Sequence, residues 1–252
     1  CEEDCAFGSV CATCGNGLTT ASLGAPEAAK TRSQFNAYVD ALLGLGLTVT
    51  VLPAAAAFPD SHFVEDTAVV MPEIAVITHP GAPSRQGEVA TIAPVLARHR
   101  PLARMSAAAH MDGGDVMTIG KRFFVGLSAR TDAAGLQEFA AFVEPHGYQV
   151  HAIDVNDGLH LKSVVNYVGR NTVLLSAEAA THPAFAGLDH IIVNKAEEYA
   201  GNTLWINDTL ITPAGYPDTL AKLVKLGLPI IELDTSEFRK MDGGLTCLSL
   251  RF

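Results

Sequence analysis

The chain has 252 residues, 48% hydrophobic and 17% charged, the make-up of a compact globular protein with ample length for a sizeable core. Its formal net charge of −10, with no Lys/Arg cluster, argues against nucleic acid as a partner and suits a small cationic substrate better. No apolar run approaches the ~20 residues of a membrane-spanning helix, and CEEDCAFGSVCATC at the start has neither the basic opening nor the apolar stretch of a signal peptide, so a soluble, cytoplasmic protein is expected.

Along the chain, one pattern recurs. PEAAKTRSQFNAYVDALLGLG (26–46) places Phe35, Tyr38, Val39 and Leu42 on one helical face, and TVTVLP (48–53) then reads as a strand. VEDTAVVMPEIAVITHP (64–80) reads as a hairpin, followed by a helix over 86–99 with Val89, Ile92, Val95 and Leu96 aligned. A second hairpin, GGDVMTIGKRFFVGLS (113–128), precedes a helix over 132–147 that aligns Leu136, Phe139, Ala140 and Val143, then a strand at 148–154. A third, SVVNYVGRNTVLLS (163–176), leads into a segment whose helical element is short or irregular. A fourth, NTLWINDTLITPAGY (202–216), precedes a helix over 217–227 and a strand at 229–234. LTCLSLRF (245–252) reads as a final buried strand, half of a fifth hairpin. Pro26 and Pro217 mark helix starts, while Gly46, Gly147 and Gly227 mark ends. A repeat of roughly 40 to 50 residues suggests modules closed around an axis, with the last strand joining the first so that no sheet edge is left open. One domain over residues 1–252 follows from this reading.

The loops that lead into these hairpins carry Asp60, Glu65 and Asp66, then Asp112 and Asp115, then His160, and finally Cys247. In a closed ring, equivalent loops converge near the axis, so a thiol, an imidazole and several carboxylates can share one pocket. A thiol nucleophile with a general acid/base needs that arrangement. Three carboxylates within seven residues also repel one another unless a cation meets them. Each residue has a plainer reading. An isolated cysteine in an alternating strand is usually a core thiol, and Asp112-Gly-Gly-Asp115 could be turn chemistry alone.

Other chemistries find less support. No histidine pair has metal-ligand spacing, no glycine-rich phosphate loop occurs, and no G-x-S-x-G elbow is present. Five cysteines, with Cys1, Cys5, Cys11 and Cys14 bunched together, do not read as a disulfide framework. The four could hold zinc or a redox disulfide, but their spacing is very tight for structural zinc, and they are expected to be incidental.

FPDSHFVEDTAVV (58–70), GAPSRQGE (81–88), HMDGGDVM (110–117), VGLSARTD (125–132), LHLKS (159–163), SEFRKMDGG (236–244) and LTCLSLRF (245–252), in this order, resemble the dimethylarginine dimethylaminohydrolase family of the guanidine-modifying, or pentein, superfamily. The resemblance runs from about residue 17 to residue 252. It implies an α/β fold, a five-bladed pseudo-fivefold α/β-propeller. It also implies hydrolysis of Nω-methylated arginine to citrulline through a covalent cysteine thiouronium intermediate.

On this resemblance Cys247 is the nucleophile, His160 the acid/base, and Asp112 the carboxylate that orients the histidine. Glu65 and Asp66 accept the guanidinium N–H groups. Asp60, with the carbonyls of Leu18 and Met241, receives the substrate α-amino group, and Arg85 and Arg130 clamp its carboxylate. Leu18, in NGLTTASLG (16–24), falls in the family's mobile lid. No cofactor or metal is required. The implied partner is a small methylated arginine, with neither nucleic acid nor membrane involved, for a monomer or homodimer. Residues 1–16 do not follow the family's apolar first strand, which puts closure of the ring beside Cys247 in question. A sister activity such as arginine deimination, or a non-catalytic binder of basic amino acids, is the alternative.

Overall fold

The β-branched runs pair as the alternation predicts, and the computed structural model describes residues 4–10, 13–156 and 158–252. In chain order the regular elements are β1 (Asp4–Gly8), α1 (Ala28–Gly44) and β2 (Thr48–Leu52); β3 (Ala68–Val70), β4 (Ala75–Ile77), α2 (Val89–Leu96) and β5 (Leu102–Arg104). Then follow β6 (Val116–Ile119), β7 (Arg122–Leu127), α3 (Ala133–Val143) and β8 (Gln149–Asp154); β9 (Val165–Tyr167), β10 (Thr172–Leu175) and β11 (Asp189–Ile192). The last are β12 (Leu204–Ile206), β13 (Thr209–Pro213), α4 (Pro217–Leu223), β14 (Ile230–Leu233), the single turn α5 (Ser236–Arg239), and β15 (Leu250–Arg251).

They form five three-stranded sheets, β3-β4-β5, β6-β7-β8, β9-β10-β11, β12-β13-β14 and β15-β1-β2. In each, the first two strands are antiparallel and the third is parallel to the middle one. A parallel neighbour requires a crossover connection, and α1, α2, α3 and α4 supply it in four blades. In the β9-β10-β11 blade the crossover shrinks to two 3-10 turns, Ala179–Thr181 and Pro183–Phe185, the irregular segment foreseen from sequence. This is the five-bladed α/β-propeller.

Two expectations change. The segment at 245–252 is mostly not strand: Thr246–Leu248 is a 3-10 turn and only Leu250–Arg251 pairs. The ring nevertheless closes, because β1 pairs antiparallel with β15 (Ala6 opposite Leu250) and parallel with β2, despite its unpromising sequence. Cys5, Ala6 and Phe7 are fully buried in it. Of the early cysteines, Cys5 and Cys14 pack in the apolar core with Phe7, Phe35 and Tyr38, and Cys1 and Cys11 lie outside the described residues.

The core is distributed between blades rather than gathered at one centre. Phe123, Phe139 and Val143, all fully buried, fill the wedge under α3, and Phe7, Tyr38, Leu42 and Phe238 fill the one under α1. Each such aromatic contributes about 3 kcal/mol or more, judged by what truncation to alanine costs. Among the described residues no helix is long and apolar enough to cross a membrane.

Candidate active site

Every blade is preceded by a 3-10 turn: Val64–Thr67, Gly113–Asp115, Leu161–Ser163, Lys195–Gly201 and Thr246–Leu248. The turns touch in sequence, and Asn202, just after the fourth, bonds Thr246 in the fifth, so that they form a collar around the axis at one end of the propeller. The sequence candidates sit in this collar. Glu65 and Asp66 lie within the first turn, Asp112 and His160 immediately precede the second and third, and Cys247 is the middle residue of the last.

Asp112, fully buried, is fixed by three contacts. Its Oδ1 accepts from the Gly81 N–H at 2.9 Å, its Oδ2 accepts from His160 Nε2 at 3.0 Å, and its own N–H donates to Thr131 Oγ1. Asp66 Oδ1 accepts from the Gly114 N–H at 2.9 Å and stands 4.0 Å from His160 Nε2. A Cβ at Gly114 would lie 2.7 Å from His160 Nδ1 and 2.8 Å from Asp66 Oδ1. The glycine pair is therefore more than turn chemistry, because only a residue without a side chain lets histidine and carboxylate meet there. Asp115 is equally buried. It accepts from the hydroxyls of Ser128 and Thr131 and from the Leu161 N–H, tying its blade to the histidine turn.

Electrostatics follow from this packing. Burial alone would lower the pKa of His160, but Asp66, Asp112 and Asp115 outweigh it and raise it to about 9, so the ring is an imidazolium at neutral pH. Asp66, although buried, is held at about 2 by His160 and Arg85. Burial pushes the Cys247 thiol up to about 12, and Glu65 and Asp66 push the same way against the Gly244 N–H that donates to Sγ at 3.4 Å. At rest, then, the sulfur is a thiol facing two carboxylates.

Cys247 and His160 line two adjoining spaces. A cavity of about 330 Å³ is also bounded by Glu65, Tyr199, Asn202 and the 20–23 segment. A narrow cleft of about 30 Å³ is also bounded by Leu18, Asp60, Asp66, Arg85, Arg130 and Met241. The ten sequence candidates therefore gather at one place. Asp60 accepts from the Leu18 N–H at 3.2 and 3.1 Å, which ties the 16–24 segment to the cleft.

Arg85 is deeply buried, and Asp66, Glu88 and the carbonyls of Phe63 and Asp60 take all but one of its N–H groups. Arg130 is the less committed of the two, its nearest carboxylate being Asp112 at 3.8 Å. Glu88 was not singled out from sequence, nor was Lys162, which pairs with Glu65 at 2.5 Å. Both sit inside motifs quoted above: Glu88 pairs with Arg85 three residues earlier in the same 3-10 turn, and Lys162 with a glutamate from another turn, which nothing local marks. Among the described residues Asp66, Asp112 and His160 are close enough to share a metal ion, all ligand atoms lying within 4.8 Å. Their oxygens are already committed to Arg85, Gly81, Gly114 and His160.

The family described as N,N dimethylarginine dimethylhydrolase, eukaryotic, matches residues 23–187. The N(G),N(G)-dimethylarginine dimethylaminohydrolase of Pseudomonas aeruginosa is 41% identical over 94% of both chains, and that of Streptomyces coelicolor is 36% identical over 86% of this chain and 84% of its own. A solved structure of the Pseudomonas aeruginosa enzyme, a cysteine-to-serine mutant complexed with citrulline, superposes with a TM-score of 0.98 at 39% identity, covering 100% of this chain and 99% of that one. A histidine-to-glycine dimethylarginine dimethylaminohydrolase, in adduct with S-methyl-L-thiocitrulline, also scores 0.98, at 38% identity and full coverage of both. The N-terminal domain of a cyanobacterial arginine dihydrolase shares the fold at 17% identity, with a TM-score of 0.90 and coverage of 100% and 97%.

Proposed function

The chain belongs to the dimethylarginine dimethylaminohydrolase family, and on that premise we propose that it hydrolyses Nω-methylated arginines to citrulline, with Cys247 as nucleophile. The observation that carries the reading is the meeting of Cys247, His160 and the carboxylates of Asp66, Asp112 and Glu65 in one collar of turns, at the mouth of a cleft lined by Asp60 and Arg130.

A guanidinium carbon is a poor electrophile, because resonance spreads its charge. Glu65 and Asp66 accept its N–H groups and hold its plane, while Asp60 and the Leu18 and Met241 carbonyls take the α-amino group and Arg130, with Arg85, takes the carboxylate. The arriving cation offsets the two carboxylates that keep the thiol protonated, so as substrate binds the thiol gives its proton to solvent and becomes a thiolate. Sulfur attacks the guanidinium carbon, and the imidazolium of His160 gives its proton to the departing dimethylamine, leaving an S-alkyl thiouronium. The now neutral His160 takes a proton from water, the hydroxide adds to that carbon, and the adduct expels the thiolate and gives up its hydroxyl proton to solvent, releasing citrulline. Asp112 holds the ring and favours its charged form.

Incubation with asymmetric dimethylarginine should yield equimolar citrulline and dimethylamine by mass spectrometry, and Cys247→Ser should reduce turnover by at least about 10⁴-fold. A folded wild-type sample that forms no citrulline, or that releases ammonia from unmethylated arginine instead, would overturn the proposal.

A further inference from the structure

Four of the five collar turns, or the residues just before them, supply the groups named in the reaction. The remaining turn, Lys195–Gly201, supplies none of them. It delivers Asn202, a buried amide whose contacts all lead toward the reacting groups. Asn202 Oδ1 accepts from the backbone N–H of Thr246 at 2.9 Å. Its Nδ2 donates to Thr246 Oγ1 at 3.1 Å and to the Lys162 carbonyl at 3.2 Å. Thr246 Oγ1, receiving that N–H, is left to give its own proton to Glu65 Oε2 at 3.0 Å.

One side chain thereby grips the residue before the nucleophile on both its backbone and its hydroxyl, fixes the proton order at a guanidinium acceptor, and reaches the turn that follows His160. Lys162's carbonyl has a second donor in Asn166 at 2.7 Å, so the grip on Thr246 is the contribution particular to Asn202. The loop ahead of Cys247 is cut to admit it. A Cβ at Gly244 would lie 2.4 Å from Asn202 Cγ, and the N–H of that same Gly244 faces the sulfur.

We propose that Asn202 is a positioning residue: it sets the turn that presents Cys247 Sγ, and through Thr246 it orients Glu65, so that sulfur and guanidinium plane are aligned for attack. This rests on Cys247 being the nucleophile, which the wild-type and Cys247→Ser assays test separately. No turnover by the wild-type protein would sink that assignment rather than the role of Asn202.

The test is steady-state kinetics on asymmetric dimethylarginine across pH for Asn202→Ala, Asn202→Asp, Thr246→Val and the Asn202→Ala/Thr246→Val double variant. Losing alignment but not binding, Asn202→Ala should lower kcat by roughly 10- to 100-fold and change KM by less than about threefold. Asn202→Asp keeps the shape and the acceptor for Thr246 N–H but replaces the donor with an oxygen. Its deficit should match that of Asn202→Ala at pH 8 and shrink as pH falls and the new carboxyl regains a proton to donate. The double variant should be no worse than the poorer single variant by more than about twofold, because both changes break one connected path. Asn202→Ala that stays folded by circular dichroism with kcat within about twofold of wild type would overturn the proposal. So would single losses that multiply in the double variant, or an Asn202→Asp deficit that is flat with pH. If Asn202→Ala fails to fold, the near-isosteric Asn202→Asp and Thr246→Val decide the matter alone.

Discussion

His160 shows how much one ring can be altered by its neighbours. Buried alone it would be neutral at physiological pH, yet three aspartates lift its pKa to about 9. With His160 in its proposed role, the proton needed by the leaving amine is in place below that value in the free enzyme, and kcat/KM should fall on a basic limb near pH 9. Asp112→Asn removes one of the supporting charges, so this limb should move to lower pH and kcat should drop by roughly 10²-fold or more. An unshifted limb would mean that the titration belongs to another group. The same group links pH to stability. A histidine raised from 6.5 stabilises the fold fully below about 6.5, and that contribution is lost as pH rises through about 9. Cys247 complements it: burial and the two carboxylates proposed to hold the substrate keep the sulfur a thiol at rest, and in the proposed mechanism it becomes reactive when a cation occupies the site.

At the scale of elements, the strands and helices were legible because one face of each is apolar. The Val/Ile alternation located four hairpins, and the i, i+3, i+4 stripes located α1 to α4, within a few residues. What escaped were β5, three residues that are mostly half-buried, and β11, four residues that are mostly exposed, both too short to show an alternation, and the collar turns, which are short, polar and held by partners from other blades. Cys247 was read onto a strand for that reason: Leu245, Leu248 and Leu250 give an apolar rhythm, but Asn202 and the 3-10 hydrogen bonding bend the chain at Thr246. The residues of the site were reached through their resemblance to a family and their recurrence at equivalent loops. Asn202, Glu88 and Lys162 were not reached, because an amide or an ion pair acquires meaning only beside its partner.

The lead-in to the first of these turns carries a cost of its own. His62 is fully buried, with its ring centroid 4.0 Å from that of Phe63 and 6.0 Å from that of Phe238. Burial and then Arg85 lower its pKa to about 3 against a Pro59 carbonyl that works the other way. Because the unfolded chain takes up this proton and the folded one does not, stability should fall as pH drops below about 6.5, by about 1.4 kcal/mol per unit until the folded pKa is reached. Glu88, raised by burial to about 7, acts in the opposite sense, so the comparison must be made between variants. Urea unfolding at pH 7 and pH 5 should show a smaller acid loss for His62→Leu than for wild type, by about 2 kcal/mol. Equal losses would exonerate His62.

The whole molecule is a ring in which four blades are built from consecutive chain and the fifth from segments far apart. That fifth sheet, β15-β1-β2, depends on β1 as its central strand. Deleting residues 1–8 should leave β2 and β15 without a partner, loosen the turn at Thr246–Leu248 just ahead of β15, and remove at least about 99% of the activity, as misplacement of the attacking group does. Retained activity would show that Cys247 is held by its turn alone. Asp4 and Phe252 clasp each other through paired backbone hydrogen bonds of 3.0 and 2.9 Å, joining segments whose closure costs more entropy than any other in the fold. The protein therefore has a seam, and Cys247, the proposed nucleophile, lies a few residues from it. On warming or long storage the catalyst should wear out there first, dead while its helices are still intact. A covalent staple joining the neighbourhoods of Asp4 and Phe252 would prolong its working life more than any improvement to its interior.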